Sequence, residues 1–159
     1  MLATVQRVLS AKIIIDDQVF SSIDEGCLVF ICFEKNDLSQ NIIKMVKKII
    51  NFRMLDGPKG LTSLALQSSN EEVLIVSQFT LAAITNKGNK PSFHKAAKPE
   101  DAKLMYDKFV SEFKNLLPKV KEGKFGSYMQ ISLVNKGPMT FNFKIWKIFL
   151  FFVELIKVK

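Results

Sequence analysis

Residues 71–83 read EEVLIVSQFTLAA. The apolar, β-prone run at 73–76 predicts a buried strand. Polar and hydroxyl-bearing residues replace the apolar ones from Ser77 onward, so we expect the strand to end there. If the chain turns at that point, consecutive backbone N–H groups leave the ladder and can stabilise an oxyanion in a pocket. The simpler alternative is a strand end whose hydroxyl groups bond to nearby backbone.

The segment before this strand alternates between apolar runs and short polar breaks. It predicts four strands at residues 2–8, 11–15, 18–22 and 27–34. A helix follows at 38–52, and Asp37 and Gln40 predict a capping box at its start. The helix carries lysines that we expect on a solvated face, with RNA contact as the alternative; they are Lys44, Lys47 and Lys48.

The segment after it contains one helix and two strands. DGPKG, at 56–60, predicts a turn between two short strands further upstream. The helix begins near Pro99 and ends at Pro118, and the strands cover 128–135 and 138–143. Two helices and seven to nine strands, mostly in adjacent hairpins, predict an α+β fold. Its sheet would be barrel-like or strongly curved and mostly antiparallel.

The size of the chain favours one soluble domain. Its charge indicates either a polyanionic partner or a compositional bias towards lysine. The chain has 159 residues, 48% of them hydrophobic, and a formal net charge of +8. All of its basic residues except Arg7 and Arg53 are lysine, which suits sequence-blind contact with phosphates. Cys27 and Cys32 are expected to be reduced core residues of a cytoplasmic protein. The N-terminus lacks the apolar segment of a signal peptide.

Side chains typical of catalysis are scarce in this sequence. His94 is the single histidine, and no metal-binding, nucleophile-elbow or phosphate-loop pattern is present. We therefore expect no metal and no cofactor, and we expect His94 to be a surface residue or an RNA contact. The chain is either a binding module or an enzyme that relies on backbone dipoles and on its substrate.

A second motif, NKGPMT at 135–140, lies between the last two predicted strands. Gly-Pro bonds have an appreciable chance of being cis. A cis bond can present the Gly137 and Pro138 carbonyls side by side, as a receptor for an ammonium group. The alternative is a simple turn, which is also how we interpret Gly57-Pro58.

Five motifs, in this order and at these spacings, resemble the D-aminoacyl-tRNA deacylase family over residues 1 to about 143. They are VQRV with Ala11 at 5–11, SQFTLAA at 77–83, KPSF with Ala96-Ala97 at 90–97, GKFGSYMQISLVN at 123–135 and NKGPMT at 135–140.

The resemblance implies a homodimer with a composite active site that acts on aminoacyl-tRNA without a cofactor. One subunit would hold the terminal aminoacyl-adenosine with Ser77, Gln78, Phe79 and Thr80. The partner would bind the α-ammonium through the carbonyls of Gly137 and Pro138. Arg7 would secure that loop, while Phe125 and Met129 would lie near the adenosine.

The implied activity is chiral proofreading in translation. The N–H groups of Phe79 and Thr80 would stabilise the oxyanion, and the substrate's 2′-OH would assist water. An L side chain would strike the Gly-Pro backbone, whereas D-amino acids and glycine would be accepted. The alternative function is a non-catalytic, nucleic-acid-binding β domain, which the charge and the lysine-bearing loop at 85–98 favour.

The sequence departs from the family pattern at several places. GLTSLAL at 60–66 replaces a strand that usually contains Met-Asn, Lys90 replaces arginine, and Met139 replaces valine. We assign residues 1–143 to the deacylase domain and residues 144–159 to an atypical tail. The tail would extend the last strand, form an interfacial helix or be an abnormal chain end. Its apolar run is too short for a membrane span, and no membrane association is expected.

Overall fold

The central strand of the fold is β1 (Leu2–Ile15), which has three antiparallel neighbours in the computed structural model. These are β2 (Gln18–Ile23), β3 (Gly26–Cys32) and β8 (Gln130–Lys144). The structure describes residues 1–86 and 88–146. β1 is continuous where two strands were predicted, because its exposed residues Leu9 and Ser10 lie at a register shift against β8 rather than at a chain break.

The remaining strands extend this sheet by parallel pairing. β6 (Glu72–Ser77) is parallel to β3, and β7 (Val120–Glu122) is parallel to β6. Parallel neighbours need long crossover connections. α1 (Ser39–Asn51) and a separate hairpin of β4 (Arg53–Gly57) and β5 (Gly60–Ala65) connect β3 to β6. α2 (Pro99–Leu116) lies between β6 and β7.

The predicted fold class is confirmed: two helices pack on a barrel-like, nearly closed sheet. The expected pairing of sequence neighbours is wrong in part, since β3 pairs with β6 and β8 returns to β1. The helices cover one face of the sheet, where they bury Met45, Ile49, Phe109 and Phe113. A smaller apolar cluster fills the other face. The lysines of α1 are exposed, as predicted.

The predicted capping box of α1 is wrong. Leu38 is the N-cap: its backbone N–H donates to Oδ1 of Asn41 at 3.1 Å, and the Asn41 N–H donates to the Leu38 carbonyl at 2.8 Å. The Asp37 carboxylate does not cap the helix, because it accepts hydrogen bonds from the Met1 amino group and from the Glu34 N–H.

Both cysteines are free and buried, which confirms their prediction as core residues. Burial raises the pKa of the Cys27 thiol to about 12 and that of Cys32 to about 11. Both groups therefore stay protonated at neutral pH, and neither is a nucleophile for the chemistry below.

The described part of the tail is short. β8 ends at Lys144, one residue beyond the predicted domain boundary. Most of the predicted tail, from residue 147 to residue 159, lies outside the described residues. None of the described helices is both long enough and apolar enough to cross a membrane.

Candidate functional site

The strand β6 ends at Ser77, where the sequence predicted a change of direction. Ser77 still pairs with Ile31 of β3, and the next N–H, that of Gln78, donates to the Ile31 carbonyl at 2.8 Å. The chain then leaves the sheet and forms a short 3-10 helix, Phe79–Ala82. Ser77 and Gln78 are half-buried, while Phe79 and Thr80 are exposed.

Two adjacent backbone donors lie at the start of this short helix. The bonds that close it run from the Leu81 N–H to the Gln78 carbonyl, at 3.3 Å, and from the Ala83 N–H to the Thr80 carbonyl, at 3.0 Å. The N–H groups of Phe79 and Thr80 precede these bonds and have no acceptor among the residues that the structure describes. The first N–H groups of a helix lack intrahelical partners, so this pair is available to a ligand.

The side chains around these donors make a partly aromatic surface. Phe79 is 58% exposed, and its ring meets the Phe93 ring edge to face, with centroids 5.0 Å apart. The Gln78 side-chain amide donates to the Thr80 hydroxyl oxygen. His94 is exposed, as predicted, and its Nδ1 lies 2.9 Å from the Ser92 hydroxyl.

Phe125 and Met129 lie beside β6. The Phe125 ring packs at 5.6 Å from Tyr106, whose hydroxyl oxygen is 2.8 Å from the Ile75 carbonyl oxygen and 3.0 Å from that of Gly123. Burial raises the pKa of Tyr106, so this hydroxyl remains a hydrogen-bond donor. Met129 packs against the smaller apolar cluster, to which Val76 belongs.

The Gly-Pro motif forms a wide bulge in β8. β1 and β8 pair at Gln6 with Thr140 and again at Val8 with Asn135, so residues 136–139 lie opposite Arg7 alone. Asn135 closes the bulge: its Oδ1 accepts from the Met139 N–H at 2.9 Å, and its Nδ2 donates to the Met139 carbonyl at 3.3 Å. The peptide bond between the two exposed residues Gly137 and Pro138 is cis.

The buried guanidinium of Arg7 anchors this bulge from below. Its Nε donates to the Lys136 carbonyl at 3.0 Å. Its Nη1 donates to the Met54 carbonyl at 3.3 Å and forms an ion pair with Asp56 at 2.6 Å. Arg7 is only 3% exposed, so these contacts fix the bulge relative to the β4–β5 hairpin.

Further charges surround the bulge. Lys136 forms an ion pair with Glu25, and its Nζ lies 3.8 Å from Oδ2 of Asp56. The hydrogen bond from Lys136 to Glu25 raises the pKa of the lysine, which stays protonated. Burial, followed by the negative charge of Glu25, raises the pKa of the nearby Glu71.

The two motifs lie towards opposite ends of the sheet within one chain. Arg7, which holds the Gly-Pro bulge, pairs with Cys27, and Cys27 in turn pairs with Val73 near the start of β6. Ser77 is the last residue of β6. The four residue steps from Val73 to Ser77 span about 13 Å along the strand. The structure therefore places Phe125 and Met129 beside the second half of β6, which leads into Ser77–Thr80. It places Arg7, Gly137 and Pro138 level with the start of that strand.

Three residues that support the two motifs were not among the predicted site residues: Asn135, Phe93 and Asp56. Asn135 and Phe93 both lie inside motifs that the sequence singled out, which was the available signal. Asp56 lies in the DGPKG turn, and only its partner Arg7 identifies it as structural.

The second Gly-Pro, Gly57-Pro58, connects β4 to β5 as the predicted hairpin turn. No three described His, Cys, Asp or Glu side chains lie close enough together to hold a metal ion.

The sequence was compared with known proteins. The family model described as D-Tyr-tRNA(Tyr) deacylase matches residues 4–144. A D-aminoacyl-tRNA deacylase of Francisella tularensis subsp. tularensis is 44% identical over 145 residues, which cover 91% of this chain and 100% of the relative. The enzyme of that name from Thermosipho africanus is 42% identical, over 94% of this chain and 100% of its own length.

Solved structures show the same fold. A protein titled c-Myc DNA Unwinding Element Binding Protein superposes with a TM-score of 0.88 at 35% identity, covering 92% of this chain and 100% of its own. A probable eukaryotic D-amino acid tRNA deacylase superposes with a TM-score of 0.80 over 91% of this chain and 98% of its own. At 16% identity the latter likeness concerns the fold alone. The chain belongs to the D-Tyr-tRNA(Tyr) deacylase family, whose members are hydrolases, as its five motifs predicted.

Proposed function

We propose that this chain works as a cytoplasmic homodimer that hydrolyses the ester bond of D-aminoacyl-tRNA and releases the free D-amino acid and the tRNA. The family and its relatives support the reaction. The residues, the dimer and the chiral filter rest on the arrangement of the two motifs.

The separation of the two motifs within one chain is the observation that carries the proposal. The donors at Phe79 and Thr80 lie beyond the end of β6, whereas the Gly-Pro bulge lies level with its start. A twofold axis perpendicular to the strands reverses the two ends of the sheet and so allows the bulge of one subunit to enter the pocket of the other. Each pocket would then be complete only in the dimer.

The chemistry in the pocket depends on backbone dipoles. An aminoacyl ester beside a ribose 2′-OH is already reactive, so the enzyme has to place it rather than supply a nucleophile. The ester carbonyl oxygen would accept hydrogen bonds from the Phe79 and Thr80 N–H groups, which stabilise the tetrahedral oxyanion. The 2′-OH of the substrate would assist the attacking water.

Chirality would be set by the partner's bulge. The carbonyls of Gly137 and Pro138 accept hydrogen bonds from the α-ammonium of the substrate and thereby fix one direction at Cα. A D side chain then points to open space, and an L side chain strikes the bulge backbone. Glycine has no side chain to exclude, so glycyl-tRNA would also be hydrolysed. Arg7 and Asn135 keep the bulge rigid enough for this exclusion.

We expect Thr80→Ala to retain substantial activity. The Thr80 hydroxyl accepts a hydrogen bond from the Gln78 amide, and an amide is not a general base. Alanine keeps the backbone N–H that we assign to the oxyanion. Single-turnover deacylation of D-aminoacyl-tRNA measures the effect. A complete loss of turnover with unchanged tRNA binding would identify Thr80 as a nucleophile and overturn this assignment.

A composite site predicts complementation between two variants that have each lost most of their activity. One variant, Phe79→Pro, carries the damaged pocket, and the other, Gly137→Ala, carries the damaged bulge. Half of randomly mixed dimers are hybrids, and each hybrid holds one intact site, so roughly a quarter of the wild-type rate should return. The measurement is deacylation after the two variants are unfolded and refolded together.

Each variant refolded alone provides the control and should keep its own low rate. If the mixture contains hybrid dimers by mass spectrometry but remains as inactive as its components, the site is not shared between subunits.

A further inference from the structure

A cleft of about 570 Å³ opens beside the candidate pocket, and none of its side chains takes part in the mechanism above. Five of its eight lining residues are basic or aromatic: Lys35, His94, Lys95, Lys144 and Trp146. The other three are Glu34, Asn36 and Ile145.

The cleft lies at the same end of the sheet as the oxyanion donors. Lys144 pairs with Leu2, which in turn pairs with Cys32 at the end of β3. The preceding β3 residue, Ile31, pairs with Ser77. The segment after β3 is joined to the loop before α2, since the Lys35 N–H donates to the Lys95 carbonyl at 2.9 Å.

One short segment connects the two regions directly. Phe93 packs on Phe79 at the pocket, and the next two residues, His94 and Lys95, line the cleft. A chain whose end sits on the Phe79 and Thr80 donors therefore meets the cleft as it leaves the pocket.

The charge of the cleft suits a polyanion. Lys35, Lys95 and Lys144 are exposed, and none of them forms an ion pair with a carboxylate in the described part of the chain. The acidic lining residue, Glu34, is paired with the Met1 amino group at 2.7 Å, which it shares with Asp37, so its charge is offset only in part and is outnumbered by the three lysines.

Trp146 adds an aromatic surface to this charge. The residue is 71% exposed, and Lys144 Nζ lies 3.9 Å from the centroid of its ring. An exposed indole with lysines around it is the combination that binds single-stranded nucleic acid, because a base stacks on the ring while phosphates contact the cations.

We propose that this cleft binds the single-stranded 3′ segment of the tRNA, the nucleotides that precede the terminal adenosine. A base stacks on Trp146, and the phosphates contact Lys144, Lys95 and Lys35. The identity of the RNA rests on the proposed function, whereas the binding of single-stranded RNA by the cleft does not.

The chain supplies its own probe, because Trp146 is its single tryptophan. A short single-stranded RNA ending in CCA, without an amino acid, is titrated against the full chain while tryptophan fluorescence is recorded. Saturable quenching is expected. Binding that is seen by anisotropy of labelled RNA without any change in tryptophan fluorescence would place the RNA elsewhere and overturn the proposal.

Variants separate stacking from charge. Trp146→Ala should raise the Kd for the RNA, measured by anisotropy of the labelled RNA, by about tenfold or more. Trp146→Phe should recover most of the lost affinity. Lys144→Gln should weaken binding and reduce the slope of log K against log salt by about 0.7, the share of one phosphate contact. Lys108→Gln, an exposed lysine of α2 outside the cleft, should change neither quantity. Equal effects of Lys144→Gln and Lys108→Gln would mean that the RNA binds through general surface charge and not in the cleft, and would overturn the proposal.

The design separates the two proposals, since the RNA carries no ester. If the chain hydrolyses D-aminoacyl-tRNA but the RNA does not quench tryptophan fluorescence, only the proposal that the cleft binds RNA is wrong. If the RNA quenches the fluorescence but the chain does not hydrolyse the ester, the proposed function is wrong and the RNA-binding cleft stands.

Discussion

Replacement of Phe79 by proline should lower kcat for D-aminoacyl-tRNA by about 10²–10³-fold relative to replacement by alanine. Both variants lose the phenyl ring, but only proline removes the backbone N–H that we assign to the oxyanion. The difference between them therefore measures the contribution of one hydrogen-bond donor. Single-turnover rates of the two variants give that ratio.

The local structure accommodates proline at this position. Residue 79 is the first of a 3-10 helix, and its N–H has no acceptor among the described residues, so proline breaks no intramolecular hydrogen bond. The preceding residue, Gln78, has φ −145° and ψ 84°, which lies outside the helical region that proline disfavours before it.

Thermal unfolding of both variants is the control for a change in stability. Equal rates for Phe79→Pro and Phe79→Ala, with equal Tm, would show that this N–H does not act on the reaction.

Replacement of Gly137 by alanine should lower the rate on D-aminoacyl-tRNA by about 100-fold. Gly137 has φ +147°, a conformation that L side chains rarely adopt. A Cβ built there would lie 2.6 Å from the Met139 backbone N, so the bulge itself has to shift. A displacement of about 1 Å is enough for a loss of this size in a site that depends on placement.

Gly60→Ala is the matched control for this substitution. Gly60 also has a positive φ, +101°, but its Cβ would meet nothing within 4 Å. It shares the backbone cost without displacing the bulge, so its deacylation rate should stay close to wild type. Similar losses in both variants would mean that Gly137→Ala acts through global stability.

Local patterns predicted the elements but not their partners. The helix α1 was predictable because its buried residues Ile42, Met45 and Ile49 recur with a period near 3.6 residues, which is visible in the sequence alone. The pairing of β6 with β3 could not be predicted from the sequence, since α1 and the β4–β5 hairpin lie between the two strands along the chain. The predicted cap of α1 was wrong because the Asp37 carboxylate accepts a hydrogen bond from the Met1 amino group, which is distant in the sequence.

The same distinction holds for the site. The end of β6 at Ser77, and the N–H groups after it that lack an acceptor among the described residues, follow from a local change from apolar to polar residues. The distance between this point and the Gly-Pro bulge depends on strand registers and could not be read from the motifs. Trp146 had no role in the sequence interpretation because the cleft brings it to His94 and Lys95 from a distant segment.

The central claim is hydrolysis selected by chirality, and deacylation of one tRNA charged in parallel with a D-amino acid, its L enantiomer and glycine tests it most directly. The account predicts rapid release of the D-amino acid and of glycine, and no release of the L-amino acid above the spontaneous rate. Hydrolysis of the L ester at a rate comparable to that of the D ester would contradict the filter. Binding of all three tRNAs without hydrolysis would identify a nucleic-acid-binding β domain instead.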